Sequence, residues 1–85
     1  LDLCNQHRIM TMLVDVVKHG DLTAIMTMHD LNLAIRYSDK FILLKDGKIF
    51  AAGDHSVITP KNIETVYGLP VDVEKYRNRL VIVPL

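Results

Sequence analysis

A chain of 85 residues has room for at most one small domain, and its ten basic and ten acidic side chains cancel, which excludes an overall field that would collect nucleic acid or anionic lipid. The hydrophobic share, 49%, is high for so small a body, so part of the apolar surface is expected to lie against something outside this sequence. The single cysteine, Cys4, excludes a disulfide framework and a paired-thiol metal site and suits a reducing compartment, while no apolar run reaches the ~20 residues that span a bilayer.

In chain order, Asp2 can cap a helix from about Leu3 to Lys18. Arg8, Thr11, Asp15 and Lys18 line a polar stripe, and Ile9, Met10, Leu13, Val14, Val16 and Val17 cover the other side. So broad an apolar face predicts a helix pressed onto a sheet, with Gly20 as its left-handed terminator. Leu22–Met28 is a short apolar and threonine run suited to a strand buried on both faces of a parallel sheet. His29 stands at its carboxyl end, where open α/β sheets place their ligands. Asp30 then caps a short helix through Leu31, Ala34 and Ile35 to about Tyr37.

Phe41–Lys45 reads as the next strand, which makes Leu22 to Lys45 a strand-helix-strand unit with a right-handed crossover. Asp46-Gly47 is a strong two-residue hairpin signal, and Lys48–Ala52 returns antiparallel. Thr59 before Pro60 opens a helix with a small apolar face of Ile63, Val66 and Tyr67, ended by Gly68. Val71–Lys75 and Leu80–Pro84 form a terminal hairpin around Tyr76–Arg79, a looser turn than Asp-Gly. The basic residues at that tip, Lys75, Arg77 and Arg79, are offset by Asp72 and Glu74 and read as solvated charge. Residues 1–55 are therefore expected to be core, and 56–85 a helix-hairpin appendage.

Several chemistries are missing. A phosphate-wrapping P-loop needs G-x-x-x-x-G-K-[ST], yet the only Gly-Lys pair, Gly47-Lys48, has Ile42 in place of the first glycine and Ile49 after the lysine. His7, His19, His29 and His55 lack zinc-ligand spacing, and no metal ligand set is assigned. Met10, Met12, Met26 and Met28 read as core filler. Neither Ser38 nor Ser56 stands on an elbow-like turn that a Ser-His-Asp triad needs. On spacing alone, a lone His29-Asp30 pair reads as a cap and a turn before it reads as a ligand site.

Larger blocks carry a resemblance. Leu1-Asp2 with Asn5-Gln6, Met26-Thr27-Met28-His29-Asp30-Leu31-Asn32-Leu33-Ala34, Tyr37-Ser38-Asp39 and Leu44-Lys45-Asp46-Gly47-Lys48-Ile49 resemble ATPases of ABC transporters, in that family's order and at about its spacing. The nearest likeness is to ATP-binding subunits of importers for iron-siderophore, haem or cobalamin, and Val57-Ile58-Thr59-Pro60 through Val66-Tyr67-Gly68-Leu69-Pro70 extends it into the tail. The resemblance implies an α/β fold: a partial P-loop NTPase core, strand-helix-strand plus antiparallel hairpin, with a C-terminal helix and β-hairpin.

It further implies that His29 is the switch histidine contacting the γ-phosphate of ATP, and that Asp2 lies in the loop crossing between two ATPase subunits. The implied cofactors are ATP and Mg²⁺ in the full-length protein, with none bound to this chain. The implied partners are a second ATPase subunit and transmembrane permease subunits, at the cytoplasmic face of the cell membrane, with no nucleic acid and no direct membrane insertion. In the family the P-loop, signature motif and catalytic glutamate precede the block that opens here, so the chain reads as a C-terminal fragment, inactive alone. The family's P-loop strand lies between the two strands read here as Leu22–Met28 and Phe41–Lys45, and bare edges in its absence predict self-association. Two readings stand beside this one: a non-catalytic oligomerisation or protein-interaction module built on Ser56–Leu85, and a small metal or hydrolytic enzyme built on His29-Asp30.

Overall fold

The computed structural model describes residues 3–85, which fall into two compact units divided between Tyr37 and Ser38. The first holds helices α1 (Leu3–Gly20) and α2 (Leu31–Tyr37), and the second holds strands β1 (Phe41–Lys45) and β2 (Lys48–Gly53), helix α3 (Pro60–Tyr67) and strands β3 (Val71–Tyr76) and β4 (Arg79–Pro84). The fold class is α/β as expected, with both sheets two-stranded and antiparallel.

Helix α1 runs on through Gly20, and the left-handed residue that stops it is Asp21, at φ 53°. A short polar side chain tolerates that conformation, and Leu22 N–H closes the end by donating to Val17 O at 3.3 Å. Within its unit α1 packs on α2: Met10 is its buried residue, and Ile9, Met12 and Val16 stay exposed.

Leu22–Met28 corrects the expectation of a buried parallel strand. The segment belongs to neither sheet, and Leu22, Ile25 and Met26 are exposed, Ile25 to 88%. A strand exists only through its ladder, and among the described residues no neighbouring strand pairs with this one. The strand-helix-strand unit therefore keeps its helix and its second strand, while its first lacks a partner.

The second unit follows its local signals closely. Asp46 and Gly47, at φ 53° and 74°, make the tight turn between β1 and β2. Beyond it the register shifts between Leu43 and Leu44: Leu44 faces Ile49 and Leu43 faces Ala51, leaving Phe50 as the extra residue of a bulge. Thr59 caps α3, its hydroxyl accepting from Asn62 N–H at 3.1 Å, Pro60 opens it, and Gly68 at φ 69° ends it by donating to Glu64 O at 2.7 Å. Thr59→Ala is expected to cost this unit about 0.5–2 kcal/mol, read as a lowered urea midpoint with an unchanged slope.

The terminal hairpin is tighter than expected. Strands β3 and β4 extend to Tyr76 and Arg79, paired with each other, and the turn is only Arg77-Asn78, at φ 52° and 64°. Asparagine accepts the left-handed region readily, and the Arg77 guanidinium lies 5.4 Å from the centre of the Tyr76 ring.

The expected boundary between core and appendage at 55/56 falls inside this second unit. Helix α3 packs on both β1 and β3, and Lys45 Nζ donates to Thr65 O at 2.8 Å. Phe41, Leu43, Ile63, Val71 and Ile82 of these elements, with Ile58 from the connection before α3, are the buried apolar residues of this unit, so the β1–β2 hairpin and the tail share one core.

Asp54 caps the 3₁₀ turn His55–Val57, its Oδ1 accepting from Ser56 N–H at 2.9 Å. That backbone bond, then the Ser56 hydroxyl, hold its carboxyl below the ordinary aspartate range. Because the native state favours the ionised form, the stabilisation is present above the unfolded-state pKa and is lost as pH falls through the depressed one. Carboxyl-carbon NMR titration is expected to place the Asp54 midpoint below that of an unstructured aspartate; an unshifted midpoint would mean that the cap does not form.

Candidate functional site

Asp30 is what gives the His29 region its shape. Its Oδ1 accepts from Leu33 N–H at 3.1 Å and its carbonyl accepts from Ala34 N–H at 3.0 Å, so it caps α2 as expected. Leu33 and Ile35 are buried and anchor the helix, while at its far end Tyr37 Oη and His7 Nδ1 share a 2.7 Å hydrogen bond across 30 residues of sequence. The two rings meet edge to face at 5.4 Å between centroids. Helix α2 is thus held at both ends, by a cap and by a polar latch to α1.

His29 sits in the bend immediately before that cap, and its side chain is exposed. An exposed imidazole next to a fixed turn can donate one hydrogen bond to an anionic oxygen. It cannot by itself surround a polyphosphate. Asp2, the other residue singled out by resemblance, lies outside the described residues.

The remaining histidines have local partners. His7 holds Tyr37, and His19 Nδ1 donates to Asp15 O at 2.9 Å and lies 3.1 Å from Asp15 Oδ1. The His55 ring meets Phe41 edge to face at 5.1 Å. The His7–Tyr37 latch had no signature in the sequence, because a pairing across 30 residues leaves no periodic trace.

Gly47-Lys48, the one pair with a P-loop flavour, lies at the β1–β2 turn, with Lys48 already in the ladder opposite Lys45. A hairpin turn of this kind offers no run of converging N–H groups. Among the described residues no three His, Cys, Asp or Glu side chains come together as a metal site. Among the described residues, His29 with its capped bend and the Gly47-Lys48 turn do not together make a cradle that fits MgATP.

No family model matches the chain. Known proteins place it nonetheless. It is 51% identical over 85 residues to an uncharacterised ABC transporter ATP-binding protein of Methanocaldococcus jannaschii, matching all of this chain and 34% of that protein. Along its whole length the chain is similar to ATP-binding proteins of ABC transporters. The hemin import ATP-binding protein of Photobacterium damselae subsp. damselae is 43% identical over 74 residues, which is 86% of this chain and 28% of that one. Its counterpart in Hydrogenovibrio crunogenus is 34% identical over 74 residues, 86% of this chain and 29% of that one.

A solved structure agrees: a metal-chelate type ABC transporter in an inward-facing conformation superposes with a TM-score of 0.83 at 26% identity, over 100% of this chain and 36% of that one. The α/β fold is consistent with part of a P-loop NTPase core. The chain spans about a third of the length of the relatives it matches. Among the described residues no helix is long and apolar enough to cross a membrane.

Proposed function

We propose that this chain is the C-terminal third of the ATP-binding subunit of an ABC importer that takes up an iron complex, haem or cobalamin. The observation that carries the reading is the 51% identity to an ABC transporter ATP-binding protein, sustained over all 85 residues. The cargo class rests on the similarity to hemin import ATP-binding proteins and to a metal-chelate type transporter. In this reading His29 contacts the terminal phosphate of ATP, Asp2 lies at the boundary with a second ATPase subunit, and the assembled pair works against permease subunits from the cytoplasmic face of the membrane. Phosphoryl transfer depends on positioned charge and donors rather than on covalent help, and an exposed imidazole beside a fixed cap is suited to such a role.

The same reading makes the chain incomplete as an enzyme. With no phosphate cradle and no metal cluster among its described residues, the 85-residue chain alone is expected neither to bind MgATP appreciably nor to hydrolyse it. Phosphate release from MgATP by the purified chain should equal the buffer blank; turnover that disappears in His29→Ala would overturn the incompleteness. The importer assignment has a separate check in the DNA upstream of the Leu1 codon. A continuous reading frame encoding a P-loop and a signature motif supports it, whereas an immediate start codon favours a stand-alone interaction module.

A further inference from the structure

Helix α2 is seven residues long, too short to hold its own shape in water, where isolated helices below ~12–15 residues are marginal. Its place is therefore set by what ties it down. Burial of Leu33 and Ile35 supplies adhesion, but apolar contact is non-directional and fixes neither the turn of the helix about its axis nor its tilt. A hydrogen bond does fix them, because it weakens steeply when its distance or angle changes. The 2.7 Å bond between Tyr37 Oη and His7 Nδ1 is such a constraint, made between the last residue of α2 and the second turn of α1. Either neutral tautomer of His7 keeps it, since a hydroxyl can donate or accept. The two rings also meet edge to face, and the Arg36 guanidinium stands 5.4 Å from the centre of the Tyr37 ring.

His29 lies at the opposite end of the same short rod. From Tyr37 to Asp30 is roughly 10 Å at about 1.5 Å per residue, so a swing of about 10° about the latched end moves the imidazole by roughly 2 Å. The bend travels with α2, because Asp30 is bonded to the helix through Leu33 N–H and Ala34 N–H. Catalysis by positioned groups is sensitive on that scale, a misplacement of about 1 Å costing up to ~10²-fold in rate. We propose that His7 and Tyr37 are positioning residues for His29: their hydrogen bond sets the angle of α2 on α1, and with it the point at which the imidazole meets the terminal phosphate. The inference rests on the ATPase reading of His29 and adds to it two residues that act only through that side chain.

The test is phosphate release, in steady state and in a single turnover, by a complete ATPase subunit carrying this sequence. Tyr37→Phe, which deletes the hydroxyl alone, and His7→Leu are each expected to lower kcat roughly tenfold, with KM for MgATP nearly unchanged. The double variant should be no slower than either single one, because both remove the same bond. His7→Asn should return most of the rate, since its side-chain amide presents a donor or an acceptor near the place of Nδ1.

The decisive comparison uses His29→Ala as the background, in which Tyr37→Phe should have no further effect. A further tenfold loss there would show that the latch serves the fold in general, and would overturn the proposal. So would latch variants with the parent kcat beside a slow His29→Ala, a result that leaves the ATPase reading standing. If His29→Ala itself keeps the parent kcat, that reading fails and the positioning role falls with it. In the 85-residue chain, Tyr37→Phe should also shift the His7 ring-nitrogen signals in a nitrogen NMR spectrum; unshifted signals would mean that the bond is not formed.

Discussion

Ile63→Ala is expected to destabilise the Ser38–Leu85 unit by about 2–5 kcal/mol, the cost of removing a large aliphatic side chain from a filled core. Ile63 is the one large side chain with no exposure among the described residues. It sits on α3, the element that packs on both β1 and β3, so the cavity would open where both hairpins meet the helix. A unit this small holds only a few kcal/mol in total, which makes the loss comparable to its whole stability. The expected reading is a non-cooperative or absent urea transition by circular dichroism, with rapid amide exchange along α3. Ile25→Ala, at an 88% exposed position, should leave the transition within about 0.5 kcal/mol of the parent. Equal effects from the two substitutions would mean that α3 does not carry the core.

The second large effect concerns His29 and belongs to the proposed ATPase subunit, not to the isolated chain. In a complete subunit carrying this sequence, His29→Ala is expected to remove about 2.7–4 kcal/mol of transition-state stabilisation, or roughly 10²–10³ in kcat, taking a lost oxyanion-hole donor as the measure. KM for MgATP should move much less, because a contact made to the transferring phosphoryl group is strongest in the transition state. A steady-state assay of phosphate release separates the two parameters. A variant with unchanged kcat would remove His29 from the reaction.

The terms of the fold that depend on neighbours in sequence were open to reading from the residues. Asp30, Thr59, Pro60 and Gly68 mark helix ends by local chemistry, a side-chain acceptor for an orphan N–H or a residue at ease at positive φ, and each does so in the structure. Asp46-Gly47 likewise specifies its own turn. Arg77-Asn78 carries no comparable signal for a tight turn, because arginine is not a residue that marks left-handed backbone. Gly20 drew the helix terminator one residue early, since Asp21 can adopt the same conformation.

What the residues could not convey was partnership. The period of Leu22–Met28 is that of a buried strand, but burial and a ladder are supplied by other segments, and in this structure none of the described residues supplies them. For the same reason the apolar face of α1 was legible while its coverage was not, and His29 could be placed before a cap but not against a ligand. By itself the sequence determined the start of α2, both ends of α3, the Asp46-Gly47 turn, the α/β class and the His29–Asp30 bend, all set within a few residues by backbone chemistry. Only the tertiary structure decided that α3 joins both hairpins into one core, that Tyr37 latches to His7, and that Leu22–Met28 stands open, because packing and strand pairing are made between residues that the chain order does not bring together.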